Sequence, residues 1–333
     1  MVRPALRESA AMRTHRLIAL PLAVSLIALA GCPRREGQPA PGSVGLLAAA
    51  SGEVAHRPAA AATWEAASKG LRRFPLDGLR TGRLASARVT LTRSKTQFEL
   101  DEQSLVVIAP PLAPAATAGS SGLGPRPAVA EPLARLEQGT LRGVSQPAEP
   151  ALHVLLPDGR ALRIAAEKKA PAPFRLRVRE GGKVEVAVIK GLAQVSLPGG
   201  SPVRLAMYEA AEVSRSIGEA QPLPDFPQPL SPSTNAQVQA GVSVPLRWQY
   251  ISRASGYRVQ VSESTAFDRC IIDQTVKVPE MDLAGSAAGK TYYWRMRSFD
   301  ASGRESEFSP ARRLSVVTTP ATRPATRPAD KKK

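Results

Sequence analysis

Tyr292-Tyr293-Trp294-Arg295-Met296-Arg297-Ser298 alternates large apolar side chains with polar or charged ones. A period of two places Tyr292, Trp294 and Met296 on one face of a strand and Arg295 and Arg297 on the other. The same alternation occurs upstream in Val244-Pro245-Leu246-Arg247-Trp248 and in Tyr257-Arg258-Val259-Gln260-Val261. Strands with one apolar face must bury that face against another sheet, so these three predict a two-sheet sandwich.

The rest of the chain points the same way. Its 333 residues include 31 Pro and 25 Gly but only 5% aromatics, so its cores must be built mainly from Val, Leu, Ala and Ile. Short runs of strand-forming residues recur at 89–91, 97–100, 105–108, 152–156, 174–178, 184–189, 193–197 and 203–207. Asp77-Gly78, Asp158-Gly159, Gly181-Gly182 and Gly199-Gly200 punctuate them. Short strands at such spacing predict an all-β region over 44–218. Within it, 109–132 is rich in Pro, Ala, Gly and Ser and reads as a disordered insertion. Five of the twelve residues 221–232 are Pro, which predicts a stiff linker centred on 219–226. The sandwich is expected over 227–317, followed by a basic, Pro-rich tail over 318–333. The fold class expected is all-β, with disordered linkers and tail.

The N-terminus has the character of an export signal. Arg3, Arg7, Arg13 and Arg16 precede an apolar run of 14 residues at 17–30, about 21 Å as a helix against the roughly 30 Å of a bilayer core. The run is an h-region and not a span. It ends in Leu29-Ala30-Gly31-Cys32, which resembles the bacterial lipoprotein signal. That resemblance implies cleavage of 1–31 between Gly31 and Cys32, lipid attachment at Cys32, and a membrane anchor followed by a flexible tether over 32–43. No Asp follows Cys32, so outer-membrane sorting in the cell envelope is expected.

Two further resemblances concern the β-regions. Gly52-Glu53-Val54, Trp64, Leu79-Arg80-Thr81-Gly82 and 86–91, with 136–141 and 184–195 later in the chain, are similar to the FecR domain family. The match departs at Arg93-Ser94-Lys95, where the family often has Asp-Gly, and at 172–178, where its Gly-Thr-x-Phe is missing. Signalling members of that family carry a transmembrane helix, which a lipid anchor at Cys32 excludes. Trp248, Tyr257 and 292–300, then Gly303, resemble a fibronectin type III domain, and on that resemblance Tyr292 is its tyrosine corner.

Chemistry is sparse. Three His and two Cys exclude multi-zinc sites and disulfide frameworks. His56 and His153 have no catalytic neighbours and read as partly exposed strand residues. Ala284-Gly285-Ser286-Ala287-Ala288-Gly289-Lys290-Thr291 satisfies a permissive phosphate-loop pattern, but a strand is expected after it where the mechanism needs a helix. No nucleotide, metal or other cofactor is implied, and no catalytic residue. Cys270 reads as a small packed residue.

The formal charge is +17, with 34 Arg against 11 Lys. Arg175, Arg177 and Arg179 alternate, share a strand face, and are candidates to bind phosphate or carboxylate groups. Nucleic acid is not expected as a partner of an exported chain. The function expected is that of a non-enzymatic envelope lipoprotein that binds or scaffolds cell-wall polymer, polysaccharide or a protein partner. The alternative is a periplasmic sensing or regulatory component.

Overall fold

The computed structural model describes residues 42–110, 132–147, 149–167 and 170–318. The leader, almost all of the tether, the insertion between 111 and 131 and the tail from 319 lie outside the described residues. Among the described residues, every regular element is a strand except one 3₁₀ turn, Glu180–Gly182.

The first β-domain is organised around one strand, Pro132–Ser145. Its first half pairs with Leu105–Ile108 on one side and with Leu152–Leu155 on the other. Its second half leaves that sheet and pairs with Gln97–Leu100 and Ala172–Val178 in another. Each sheet therefore has this strand near its middle. In one, Gly78–Thr81 and Val54–Arg57 continue outward on one side, and Ala161–Ala166, Leu192–Ser196 and Val203–Ala206 on the other. In the second, Ser86–Leu91 and Gly45–Ser51 continue on one side, and Val184–Val188 and Glu209–Val213 on the other. The inward faces of both sheets, including Leu79, Val106, Leu136, Leu141, Phe98 and Phe174, form a single core.

Gly139 makes the change of sheet possible. Its φ is +84°, and a Cβ there would lie 2.4 Å from the Ser104 Cα. The backbone groups freed at the crossing are taken up by buried hydroxyls. Thr140 N donates to Ser104 Oγ at 2.8 Å, Ser104 N to Thr81 Oγ1 at 2.9 Å, and Thr81 Oγ1 to the Asp101 carbonyl at 2.6 Å. Buried polar groups without such partners would be costly.

The second domain is the sandwich expected. Pro229–Ser231, Val244–Trp248 and Glu280–Leu283 form one sheet. Ala236–Gln239, Arg312–Val317, Thr291–Phe299, Gly256–Ser262 and Cys270–Val276 form the other, in that order. This is the strand order of a fibronectin type III-like domain. Thr291–Phe299 alternates strictly, with Tyr292, Trp294, Met296 and Ser298 buried. The Tyr292 hydroxyl accepts from Ala287 N at 3.3 Å, as a tyrosine corner would. Tyr257 does the same to Ile251 N at 2.9 Å, and Trp248 packs edge-on against its ring at 5.6 Å.

Residues 219–226, expected as a linker, are packed at both ends. Gln221–Pro222 adds a short strand beside Glu209–Ala210, and Leu223 is buried with Ala187 and Ala210. Asp225 then accepts a 2.6 Å hydrogen bond from Ser298 Oγ of the sandwich. Proline fixes φ and removes amide donors, but the residues between the prolines keep enough donors to dock.

Gly139→Ala combines left-handed strain with overpacking against backbone, and should destabilise the first domain by about 3 kcal/mol or more in chemical denaturation. Tyr257→Phe leaves the Ile251 amide without its acceptor and should cost about 1–2 kcal/mol. A Gly139→Ala chain with an unchanged denaturation midpoint would mean the crossing is not constrained.

Candidate functional site: the cleft between the two β-domains

Sheet faces that would otherwise be solvated meet where the domains join. Val184–Val188 is buried at every position, and Arg175 on the neighbouring strand is only 2% exposed. One face of each strand looks into the core. The other is covered at Arg175 by the 302–307 loop of the sandwich and at Ala187 by Leu223.

The seam is built from arginines and carboxylates. Arg175 and Arg142 are direct cross-strand neighbours, a like-charge pairing that is unfavourable by itself. Glu307 resolves it by placing one oxygen on each: Oε1 lies 2.8 Å from Arg175 Nη1 and Oε2 lies 2.9 Å from Arg142 Nη1. Glu305 is gripped in the same way. Arg177 meets both of its carboxylate oxygens, at 2.8 and 2.9 Å, and Arg297 Nη1 reaches Oε2 at 2.7 Å. Arg175 Nη2 also donates to the Glu305 carbonyl at 2.8 Å, and Arg179 Nη1 to the Ser302 carbonyl at 2.7 Å. At the far end Arg258 holds Glu102 of the first domain and Asp273 of its own sheet, and Arg83 reaches Asp273 at 2.9 Å.

Arg175, Arg177 and Arg179 thus bind carboxylates or carbonyls, as their forks suit them to, but those groups belong to the same chain. The expectation that they offer free forks to an outside anion is corrected here, because Glu305, Glu307, Glu185 and Ser302 already occupy them. Cys32 and Gly31 lie outside the described residues. His56, expected to be partly exposed, is 8% exposed with Nε2 3.6 Å from Glu65, because its strand is covered on both faces. Cys270 is half-buried, and burial, then Asp273, pushes its thiol up to about 11, so it stays protonated at neutral pH. After Gly289 the chain enters a strand, and Lys290 Nζ sits on Glu263 at 2.8 Å.

Where the seam does not close, it leaves an open cleft of about 850 Å³. Six arginines and five carboxylates line it, together with Phe267, Phe299 and Phe308, so its field is slightly positive. Burial alone would raise the Glu305 carboxyl, but Arg297 and Arg177 hold it below the ordinary range. Glu102 and Asp273 are depressed likewise, burial being outweighed by Arg258. Burial pushes Arg297 down to about 10, against the pull of Glu305, so it remains charged at neutral pH. General-acid catalysis of glycoside cleavage needs a carboxyl with a raised pKa. Glu305 and Glu102, which line the cleft, are shifted the other way, and their paired arginines suit the arrangement to holding a polar ligand.

Sequence reasoning missed Glu305 and Glu307. Their spacing, Glu305-Ser306-Glu307, has the same period of two as Arg175 and Arg177, and that match is the signal that was available.

No protein-family profile matches the chain, and no curated protein does. Among solved structures, a Fn3-like protein from Clostridium thermocellum is 22% identical, over 28% of this chain and 94% of that one, with a TM-score of 0.23. The Bacteroides ovatus mixed-linkage glucan utilization locus SGBP-B, in complex with a mixed-linkage heptasaccharide, is 12% identical over 88% and 70% with a TM-score of 0.17. A beta-1,2-glucanase from Parabacteroides distasonis is 10% identical over 84% and 38% with a TM-score of 0.22. The fibronectin type III-like character of the second domain rests on its own strand order.

A depressed carboxyl contributes stability that is complete above its unfolded pKa, about 4.3 for Glu, and is lost as pH falls through the lower folded value. The seam should therefore hold at pH 7 and open below about pH 4. Calorimetry should show the domains melting together at neutral pH and separately in acid. Glu305→Gln with Glu307→Gln should bring that separation to neutral pH. Identical thermograms across the acid range would refute the coupling.

Proposed function

We propose that this chain is a non-catalytic lipoprotein of the cell envelope, anchored to a membrane through Cys32, with its ligand seat in the cleft between the two β-domains. The first domain on this reading is FecR-like, and the protein serves as a binding or scaffolding module for an envelope polymer. One observation carries the proposal. Two β-domains are clamped by paired charges around a polar, arginine-lined cleft whose half-buried carboxylates Glu305 and Glu102 are held ionised. A concave site with convergent polar groups and a few aromatic faces is the default place for a ligand. The outer membrane is the proposed location, because no Asp follows Cys32.

Anchor and cleft are testable apart. Cys32→Ala should release the protein from membranes and abolish incorporation of a labelled fatty acid, while the melting temperature stays the same, since the acyl chains supply anchoring alone. Ser86 is exposed and lines the cleft on the first-domain side. Ser86→Trp should fill the cleft and reduce retention of isolated envelope polysaccharide by about tenfold, with little change in stability. Retention equal to that of the unaltered chain would move the ligand seat elsewhere.

A further inference from the structure

Arg295 differs from every other arginine that lines the cleft. Arg142, Arg177, Arg179, Arg258 and Arg297 each hold a carboxylate of the chain. Arg295 holds none among the described residues. Its Nε donates to Gln260 Oε1 at 2.9 Å, and Gln260 itself is 1% exposed. No hydrogen bond from the described residues meets its Nη1 or Nη2.

Its flat faces, by contrast, are covered. The guanidinium carbon lies 4.0 Å from the ring centroid of Phe267 and 4.2 Å from that of Phe308. A guanidinium stacked on aromatic rings is stripped of water over its faces and fixed in orientation, while its in-plane N–H edge remains available for a two-pronged acceptor. Burial lowers the Arg295 pKa, and the opposing pull of Cys270, Glu102 and Asp101 does not restore it. The bracket is also held in place at a conformational cost. Phe267 is buried with φ +55°, in the left-handed region that bulky residues seldom adopt. A turn fixes it there: Ser262 Oγ donates to the Arg269 carbonyl at 2.6 Å, Ser264 N to Ser262 Oγ at 3.0 Å, and Phe267 N to the Ser264 carbonyl at 3.3 Å. Strain of this kind concentrates at ligand clamps. Elsewhere the cleft offers exposed hydroxyls and amides, from Ser86, Gln103, Gln138 and Thr275, which suit sugar hydroxyls.

We infer that Arg295, bracketed by Phe267 and Phe308, is the oxyanion-reading residue of the cleft, and that the ligand is an acidic polysaccharide whose carboxylate or phosphate group takes the free edge of this guanidinium. The inference rests on the cleft being the ligand seat. A carboxylate and a phosphate offer the same pair of acceptor oxygens.

The test is calorimetric titration of the full chain at low ionic strength with three probes: oligogalacturonate, phosphomannan and neutral mannan. One or both acidic probes should bind, at least about tenfold more tightly than neutral mannan, and which one binds identifies the source of the oxyanion. Arg295→Gln should weaken acidic binding by about tenfold or more and leave neutral mannan unchanged. Arg295→Lys, which keeps the charge but loses the planar fork, should recover only a small part of it. Arg247→Gln, at an exposed pair with Glu280 on the other sheet, should have no effect. Melting temperatures confirm that each variant is folded, and the Lys variant supplies the answer if the Gln variant is not. Acidic binding untouched by Arg295→Gln and Arg295→Lys, or no acidic binding by the unaltered chain, overturns the inference. If Ser86→Trp still blocks neutral mannan in that case, the cleft remains the ligand seat. If Ser86→Trp blocks nothing, the cleft reading fails as well.

Discussion

Glu307 sits between two arginines that neighbour each other across adjacent strands, and the joining of the two domains depends on that bridge. Arg142 and Arg175 are cross-strand partners, and Arg175 is almost wholly removed from water. Two guanidinium groups so placed repel each other unless a carboxylate lies between them. A buried ion pair roughly breaks even against the desolvation of its members, yet losing one partner costs about 3–5 kcal/mol. The seam therefore does less to stabilise the fold than to fix how the domains are oriented. A sliding or rotated arrangement would strand Glu307, whose two ion-pair partners both lie on the first domain. The apolar cluster of Ala187, Ala210 and Leu223 docks the linker on the first domain and holds no residue of the sandwich, so it does not impose that orientation.

The seam can be that specific because the first domain presents its arginines on a sheet face whose register is locked. The strand Pro132–Ser145 belongs to both sheets, so a shift of one would have to pass through Gly139 into the other. The hydroxyls of Thr81 and Ser104 tie the crossing from behind, Ser104 holding the Thr140 backbone. Arg142 and the strand carrying Arg175 and Arg177 lie on the far side of that crossing. Core packing at Leu136 and Leu141 is thus coupled through backbone geometry to the positions of the charges at the cleft.

The sandwich was legible because its signal is local. A strict period of two in 292–298 marks both the buried face and the exposed one, and Thr291–Phe299 follows it residue by residue. The alternation of Arg175, Arg177 and Arg179 was equally local, and their shared face was read correctly. Their partners were not legible, because Glu305 and Glu307 lie about 130 residues away and charge sign alone does not say which carboxylate will come. The full Pro132–Ser145 strand escaped for a different reason. Its apolar phase changes at Gly139, so no single run of period-two alternation marks it. The linker failed on composition: proline density predicted a spacer, while Leu223 and the Asp225 carbonyl were enough to dock it.

A formal charge of +17 invites the reading that the whole surface attracts anions, and the seam shows why that reading is too coarse. An arginine whose fork is filled by the chain's own carboxylate has little attraction left for an outside anion, since the pair is nearly neutral beyond a few ångströms and salt screens the remainder. Selectivity then resides in whichever guanidinium is left over, and its value rises with desolvation, because the same charge acts more strongly where water is excluded. At this cleft the leftover group is Arg295. Its faces are covered by two phenylalanines, and its Nε is tied to a buried amide. Total charge and binding charge are therefore different quantities in this chain. At the cleft the first is spread over arginines paired with the chain's own carboxylates, and on the inference above the second is concentrated at Arg295.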